Sequence, residues 1–362
     1  MSAAGQVPAS HGGDTRSFQE RYGRVPLDFS TCVNPLGTSP RAAEALAAAA
    51  CGDMSAYPDP QARELVTAIA AHEGCHEQAV VCGAGAVDLI YRIARVAAPA
   101  RALVCAPTFS EYERALAAAG CKVRCHQLRR EQGFALDAGV LQAAAAADLV
   151  FLCEPNNPTG LASEPALLAE LLERCEARGA LLVVDECFNG FLADAPERSL
   201  RGRLGRHAGL VVIDAFTKLH GLAGVRVGYA LCGSGQLAGR LRAAGLPWAV
   251  SSLAQAAGVA ALQDDAHVAR TRAFVARERP RMAAALARLG LQVHPSQANY
   301  LLVSHGMPGL GAALGERGML VRDLEFCPGL GAGYYRIGLR TARDDEVLVR
   351  VLEQVLQGEG AA

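Results

Sequence analysis

Through the first two thirds of the chain, short apolar runs alternate with longer, alanine-rich runs that read as helices. Seven short runs predict strands: Val80–Cys82, Ala102–Ala106, Lys122–Leu128, Leu149–Cys153, Leu181–Asp185, Leu210–Asp214 and Val227–Cys232. Most are apolar along their whole length, and helices such as Ala86–Val96, Glu111–Ala119 and Glu164–Glu176 lie between them. That pattern predicts a mostly parallel sheet covered on both faces, in one large α/β domain over about residues 45–260. The run Cys121-Lys122-Val123-Arg124-Cys125 alternates instead, as a strand with one wet face does.

The pattern then changes. A long helical stretch, Asp264–Leu289, contains Pro280, which predicts an end or a kink there. Its arginines (Arg270, Arg272, Arg277, Arg279, Arg281) read as a solvated face. Strand-like Ala298–Val303, a helix near Leu310–Arg317, strands Leu320–Arg322 and Tyr334–Leu339 and a final helix Asp344–Leu356 follow. Residues 261–362, joined by the turn-rich residues 1–44, predict a second, smaller α+β domain.

A length of 362 residues suits two domains, and 51% apolar against 20% charged residues excludes wholesale disorder. Thirty-five basic against 36 acidic residues leave no basic footprint for nucleic acid. No apolar run reaches the roughly 18 residues of a membrane span, and Met1–Ser17 lacks the pattern of a secretory signal, so the expected location is the cytoplasm. Twelve cysteines include no CxxC pair, and several (Cys105, Cys153, Cys187, Cys232) lie in apolar runs, where they read as small buried hydrophobes. Only two residues are lysine, Lys122 and Lys218, so chemistry that needs an amine has two candidates.

Five motifs carry possible chemistry. His72-Glu73-Gly74-Cys75-His76 matches HExxH, but Gly74 and the strand that follows so soon fit a helix end, so no metal site is expected. Cys82-Gly83-Ala84-Gly85-Ala86 joins a strand to a helix, where backbone N–H groups can meet an anion, although tight turns use glycine anyway. Asp185 and Pro155-Asn156-Asn157-Pro158-Thr159-Gly160 both follow strand ends, the side of such sheets that forms ligand crevices; both also suit caps and turns. Lys218 follows another apolar strand, with Arg226 eight residues on. A lysine desolvated beside a second cation is a Schiff-base candidate, against the plainer reading of a snorkelling surface lysine. Lys122 reads as surface.

In combination these motifs are more specific than any one of them. Glycine turn, Asn-Pro-Thr-Gly, strand-terminal Asp185 and Thr217-Lys218 with Arg226, in this order, resemble the fold-type I pyridoxal-phosphate (PLP) enzymes of the aminotransferase class I/II group. The resemblance runs over nearly the whole chain. His11-Gly12-Gly13, Leu27–Ser30, Asn34–Gly37, Pro107–Leu116, Leu246–Trp248, Ala298–Leu302 and Tyr334–Ile337 bring it closest to the threonine-phosphate decarboxylases of cobalamin synthesis. Histidinol-phosphate aminotransferases share the PLP core and are less similar in the His-Gly-Gly and Phe109–Tyr112 segments.

The resemblance implies a role for each matching residue. Lys218 would carry PLP, Asp185 would pair with the pyridine nitrogen, Asn157 would donate to the ring oxygen and Phe109 would stack on the ring. Gly83, Ala84, Gly85, Thr217 and Arg226 would bind the cofactor phosphate, joined by Tyr57 from a partner subunit, which implies a homodimer with shared sites. Arg336 would bind the substrate carboxylate, with Asn157 and Cys32 close by; Arg322, His11 and Gly12 would bind a substrate phosphate. The implied reaction turns L-threonine O-3-phosphate into (R)-1-amino-2-propanol O-phosphate and CO2; the alternative is an aminotransferase of histidinol-phosphate type. Four positions depart from the family pattern: Ala84 (often Asn), Ala215 (Ser or Thr), Cys32 (a substrate-binding Asn) and Gly190 (acidic).

Overall fold

The computed structural model describes residues 11–358, so the first ten residues and the last four of the expected smaller domain lie outside it. All seven expected strands form one sheet. Named by first residue, their order is Val80, Gly228, Leu210, Leu181, Leu149, Arg101, Lys122. Every neighbouring pair is parallel except those made by Gly228–Cys232, which runs antiparallel to both Val80–Gly83 and Leu210–Ala215.

The sheet is apolar throughout because helices cover both faces. Val150, Leu152, Leu182, Val184, Leu210 and Val212 pack into one core, and their neighbours Leu149, Phe151, Val183, Val211 and Ile213 into the opposite one. This is the period-two alternation of a strand, with apolar residues demanded on each side. Lys122–Gln127 lies at the edge and is the least buried of the seven, with Lys122 and Arg124 exposed. Charges there discourage pairing with another chain. Cys105, Cys153, Cys187 and Cys232 are buried, and each cysteine has a free thiol.

A second, four-stranded antiparallel sheet has the order Arg322–Asp323, Tyr334–Gly338, Tyr300–Ser304, Gln292–Val293. It packs with the long helix Asp265–Arg288 and the last helix Ala342–Gln357 around its own core of Tyr300, Val303, Ile337, Leu348 and Leu352. The N-terminal segment joins this unit: Leu27–Asp28 pairs in parallel with Met319–Leu320. The single strand expected at Leu320–Arg322 is therefore two. Met319–Leu320 faces the N-terminal segment, and Arg322–Asp323 turns to pair with Tyr334–Gly338.

Pro280 does not end its helix: the element is continuous from Asp265 to Arg288. One missing N–H costs a single backbone bond. The buried face of Val275, Glu278, Met282 and Leu286 holds both sides of the proline in one helix. Of the five arginines named above, four are exposed as expected; Arg279 is half-buried and donates to the carbonyl of Gln297 at 2.8 Å. Among the described residues no helix is long and apolar enough to cross a membrane.

Candidate active site

Register places the chemistry on one edge of the large sheet. Gly228 is the partner of both Gly83 and Ala215, so the glycine turn, the loop before Lys218 and the segment after Arg226 meet there. Cys153 and Asp185, partners at the ends of two parallel strands, bring Asn156 and Asn157 to the same edge.

The glycine turn and Arg226 form an anion cradle. Gly85 has φ +88° and caps the helix Ala86–Ala97 with no side-chain cap, so the N–H groups of the first turn are left for a ligand. A Cβ on Gly85 would lie 2.7 Å from the Arg226 Nη2, so only glycine lets this guanidinium approach. Arg226 itself has φ +61°, a left-handed conformation that costs a non-glycine residue energy. Its Nη1 donates to the Ala223 carbonyl at 3.0 Å and its Nη2 to that of Ala84 at 3.5 Å. The Ala84 N–H is already taken by Asp88, at 2.9 Å. Among the described residues nothing bonds the half-buried Thr217 hydroxyl.

Asp185 is 4% exposed. One carboxylate oxygen accepts from the Tyr112 hydroxyl at 2.8 Å and the other from the Cys187 N–H at 3.1 Å. Tyr112 is stacked on Phe151, and Phe109 meets it edge-on at 5.5 Å. Lys218 is half-buried, its Nζ 5.4 Å from the centre of the Phe188 ring. Burial holds its proton affinity below that of an ordinary lysine; Cys32, Cys187 and Asp185 work against this and Arg336 adds to it.

Arg336 donates to the Asn157 Oδ1 and, at 2.7 Å, to the Ser30 carbonyl. With its oxygen engaged, Asn157 has its Nδ2 donor turned to the other side. The Arg336 Nε is a buried nitrogen without a partner among the described residues. Cys32, fully buried, lies beside Arg336 and Lys218; burial raises its thiol pKa against the pull of both cations. Arg322 and Arg336 are direct cross-strand partners, which sets two like charges side by side where a bound anion would be favoured. Burial and then Arg336 lower the pKa of Arg322, with Arg114 adding to this and Cys327 and Asp323 opposing it.

The N-terminal arm closes this side. His11 lies 2.9 Å from the Glu111 carboxylate and its ring 5.8 Å from that of Phe109. Burial lowers its pKa; Glu111 opposes this, while Arg114 and Arg322 add to it. A Cβ on Gly12 would lie 2.3 Å from the Ser30 carbonyl oxygen, so the arm can pass only as glycine. Tyr57 is the expected residue not brought in: it is 78% exposed and stacks on Trp248, ring centres 4.7 Å apart.

Sequence reasoning assigned no role to Tyr112, Glu111 or Arg114. All three lie in the family-like run Pro107–Leu116, where Tyr112 reads as core and the charges as surface. Glu111 is instead buried, bonded to His11, Arg114 and Tyr91.

The HExxH residues lie on two elements. The helix Arg63–Glu73 ends at Gly74 with φ +63°, and His76 caps the next turn through its Nδ1. Glu73 is occupied by Arg201 and the Tyr229 hydroxyl. Among the described residues no three His, Cys, Asp or Glu side chains are grouped as a metal would need. Turnover should therefore survive prolonged treatment with a chelator, and loss of activity restored by added zinc would show this reading wrong.

An anion cradle, a desolvated lysine, a buried carboxylate across the sheet edge and an aromatic face beside it suit a phosphorylated pyridine. The chain belongs to the aminotransferase class I and II family, whose model matches residues 24–355, and is thereby a PLP-dependent enzyme of fold type I. It is 35% identical over 357 residues to the threonine-phosphate decarboxylase of Salmonella typhimurium, covering 97% of each chain. It is 36% identical over 334 residues to the histidinol-phosphate aminotransferase of Symbiobacterium thermophilum, covering 90% of this chain and 89% of that one. The crystal structure of histidinol-phosphate aminotransferase from Sinorhizobium meliloti in complex with pyridoxal-5'-phosphate superposes with a TM-score of 0.85 at 23% identity, over 99% of this chain and 100% of that one.

Proposed function

We propose that the protein is a PLP-dependent decarboxylase acting on L-threonine O-3-phosphate. The observation that carries this is the cross-strand pair Arg322 and Arg336, with Arg114 and His11 beside Arg322. A substrate with a carboxylate at one end and a phosphate ester, of roughly −1.5 to −2 charge, at the other suits two guanidiniums held side by side. The decarboxylase relative that spans 97% of the chain adds to this.

PLP, when bound, supplies an electron sink for the bonds at the substrate Cα. The chain's own residues do the remainder. The turn Gly83-Ala84-Gly85 would cradle the cofactor phosphate against the uncapped N–H groups of the helix that follows, with Thr217 and Arg226; the N–H groups of Ala84 and Gly85 are themselves committed to Asp88 and to the Gly83 carbonyl. Asp185, kept in place by Tyr112, would pair with the ring nitrogen, Asn157 would donate to the ring oxygen and Phe109 would stack on the ring face. Lys218 would anchor the cofactor and move a proton at the substrate Cα. Arg336, beside Asn157 and Cys32, aims the carboxylate; Arg322, His11 and the backbone at Gly12 hold the phosphate. By aiming the carboxylate, Arg336 would govern which Cα bond breaks.

Purified holoenzyme and threonine phosphate should yield CO2 and 1-amino-2-propanol O-phosphate in equal amounts, with no keto acid. Keto acid formed from an amino-acid phosphate in the presence of an acceptor would favour the second reading, an aminotransferase of histidinol-phosphate type, to which the 36% identity with the Symbiobacterium enzyme lends support.

We also propose a homodimer in which Tyr57 reaches the cofactor phosphate of the other subunit, since it is exposed and stacks on Trp248. Mixing inactive Tyr57→Ala and Lys218→Ala chains should restore activity, because hybrid dimers regain one complete site. No recovery under exchange conditions would place Tyr57 outside the site.

A further inference from the structure

Lys218 stands in a loop without regular structure, and four successive carbonyls of that loop are bound by one other segment, residues 34–39. The Asn34 N–H donates to the Lys218 carbonyl at 2.9 Å, and its side-chain Nδ2 to that of Leu219 at 2.6 Å. The Ser39 N–H donates to the carbonyl of His220 at 3.1 Å and the Thr38 hydroxyl to that of Gly221 at 3.0 Å. The two segments approach so closely that a Cβ on Gly221 would lie 2.4 Å from the Gly37 carbonyl oxygen.

Asn34 is itself fixed from behind. It is 3% exposed, its Oδ1 accepts from the Leu36 N–H, and its Nδ2 also lies 3.0 Å from the His267 Nε2 and 2.8 Å from the Thr271 hydroxyl, both on the long helix Asp265–Arg288. Two amide protons face three acceptors, so this amide is fully committed. Four residues earlier on the same segment, the Ser30 carbonyl accepts from Arg336.

We propose that Asn34 is a positioning residue: it ties the Lys218 loop to the small unit's long helix, so that residues 30–39 set the span between the amine of Lys218 and the guanidinium of Arg336. A lysine side chain has a flexible four-carbon stem, so its backbone is the part the fold can hold. A misplacement of about 1 Å at a reacting group costs on the order of a hundredfold in rate. The inference rests on the reading of Lys218 as the cofactor-bearing lysine, so borohydride trapping of the wild-type holoenzyme comes first; a label elsewhere ends that reading, not the structural tie.

The test then compares Asn34→Asp, which keeps the shape and loses the donor, and Asn34→Ala with the wild type. Three readouts apply: the rate at which cofactor-free protein captures PLP, amide hydrogen exchange over residues 216–222, and kcat against KM. Capture and kcat should fall about tenfold or more with KM changed less than about threefold, and exchange in the loop should quicken. Ser234→Ala, which loses the cap of the helix Gly235–Ala243 outside residues 30–39 and 216–222, should lower Tm and leave capture and loop exchange alone. If the Asn34 variants do not fold, Thr271→Val loosens Asn34 from its far side and should slow capture a few-fold. Wild-type capture, exchange and kcat in a folded Asn34 variant, or in Thr271→Val where that variant carries the test, would reduce Asn34 to a structural residue.

Discussion

Lys218→Ala is expected to cut turnover by about 10²–10⁴-fold or more, the range lost with a proton-transfer group at the reacting carbon, and to abolish the borohydride-stable PLP label. Only one other lysine exists, Lys122, and it is exposed on the edge strand at the far side of the sheet order. Peptide mapping therefore gives a two-way answer; a label on Lys122, or full activity in the variant, would show the assignment wrong. The pH dependence has a definite sign. Attack on PLP needs the neutral amine, so capture by cofactor-free protein should rise with pH and level off below the ordinary lysine range. Burial, reinforced by the Arg336 charge, lowers the amine's proton affinity. Arg336→Ala removes a neighbouring like charge and should move that profile to higher pH.

Arg322→Ala and Arg336→Ala should separate the two ends of the substrate. Losing a charge-assisted hydrogen bond costs about 1.5–3 kcal/mol, or roughly ten- to hundredfold. Arg322→Ala should lower kcat/KM for threonine phosphate by that factor and change plain threonine little. Arg336→Ala should weaken both, and should raise the share of keto acid among the products because the carboxylate is no longer aimed. Its loss also frees the Asn157 Oδ1 and the Ser30 carbonyl, so its effect should be the larger. Equal losses on both substrates in Arg322→Ala would make that residue structural, and the aminotransferase reading would move ahead.

Much of this was legible in the chain because the signals are local. A strand buried on both faces must be apolar at every position, which is why the seven runs from Val80 to Cys232 stand out. Gly85, Asp185 and Lys218 sit where strands end, and a strand end is also a local feature. The strand at Leu320 was misread because it was decided by partners far along the chain: its neighbour changes from Leu27–Asp28 to Tyr334–Gly338.

What the amino-acid sequence determined by itself is the layered sheet, the order of its elements and the short list of residues able to carry amine and anion chemistry. These follow from periodicity, from turn chemistry and from a lysine count of two. Only the tertiary structure decided how they meet. That Arg322 faces Arg336 across a strand pair is a matter of register. That Tyr112 holds Asp185, Glu111 lies buried beneath His11, and Asn34 takes the backbone at Lys218 depends on contacts between residues 73, 100 and 184 positions apart. Hydrogen bonds of that span leave no periodic trace in a sequence, because side chains that carry them look like any tyrosine, glutamate or asparagine of a core or a turn.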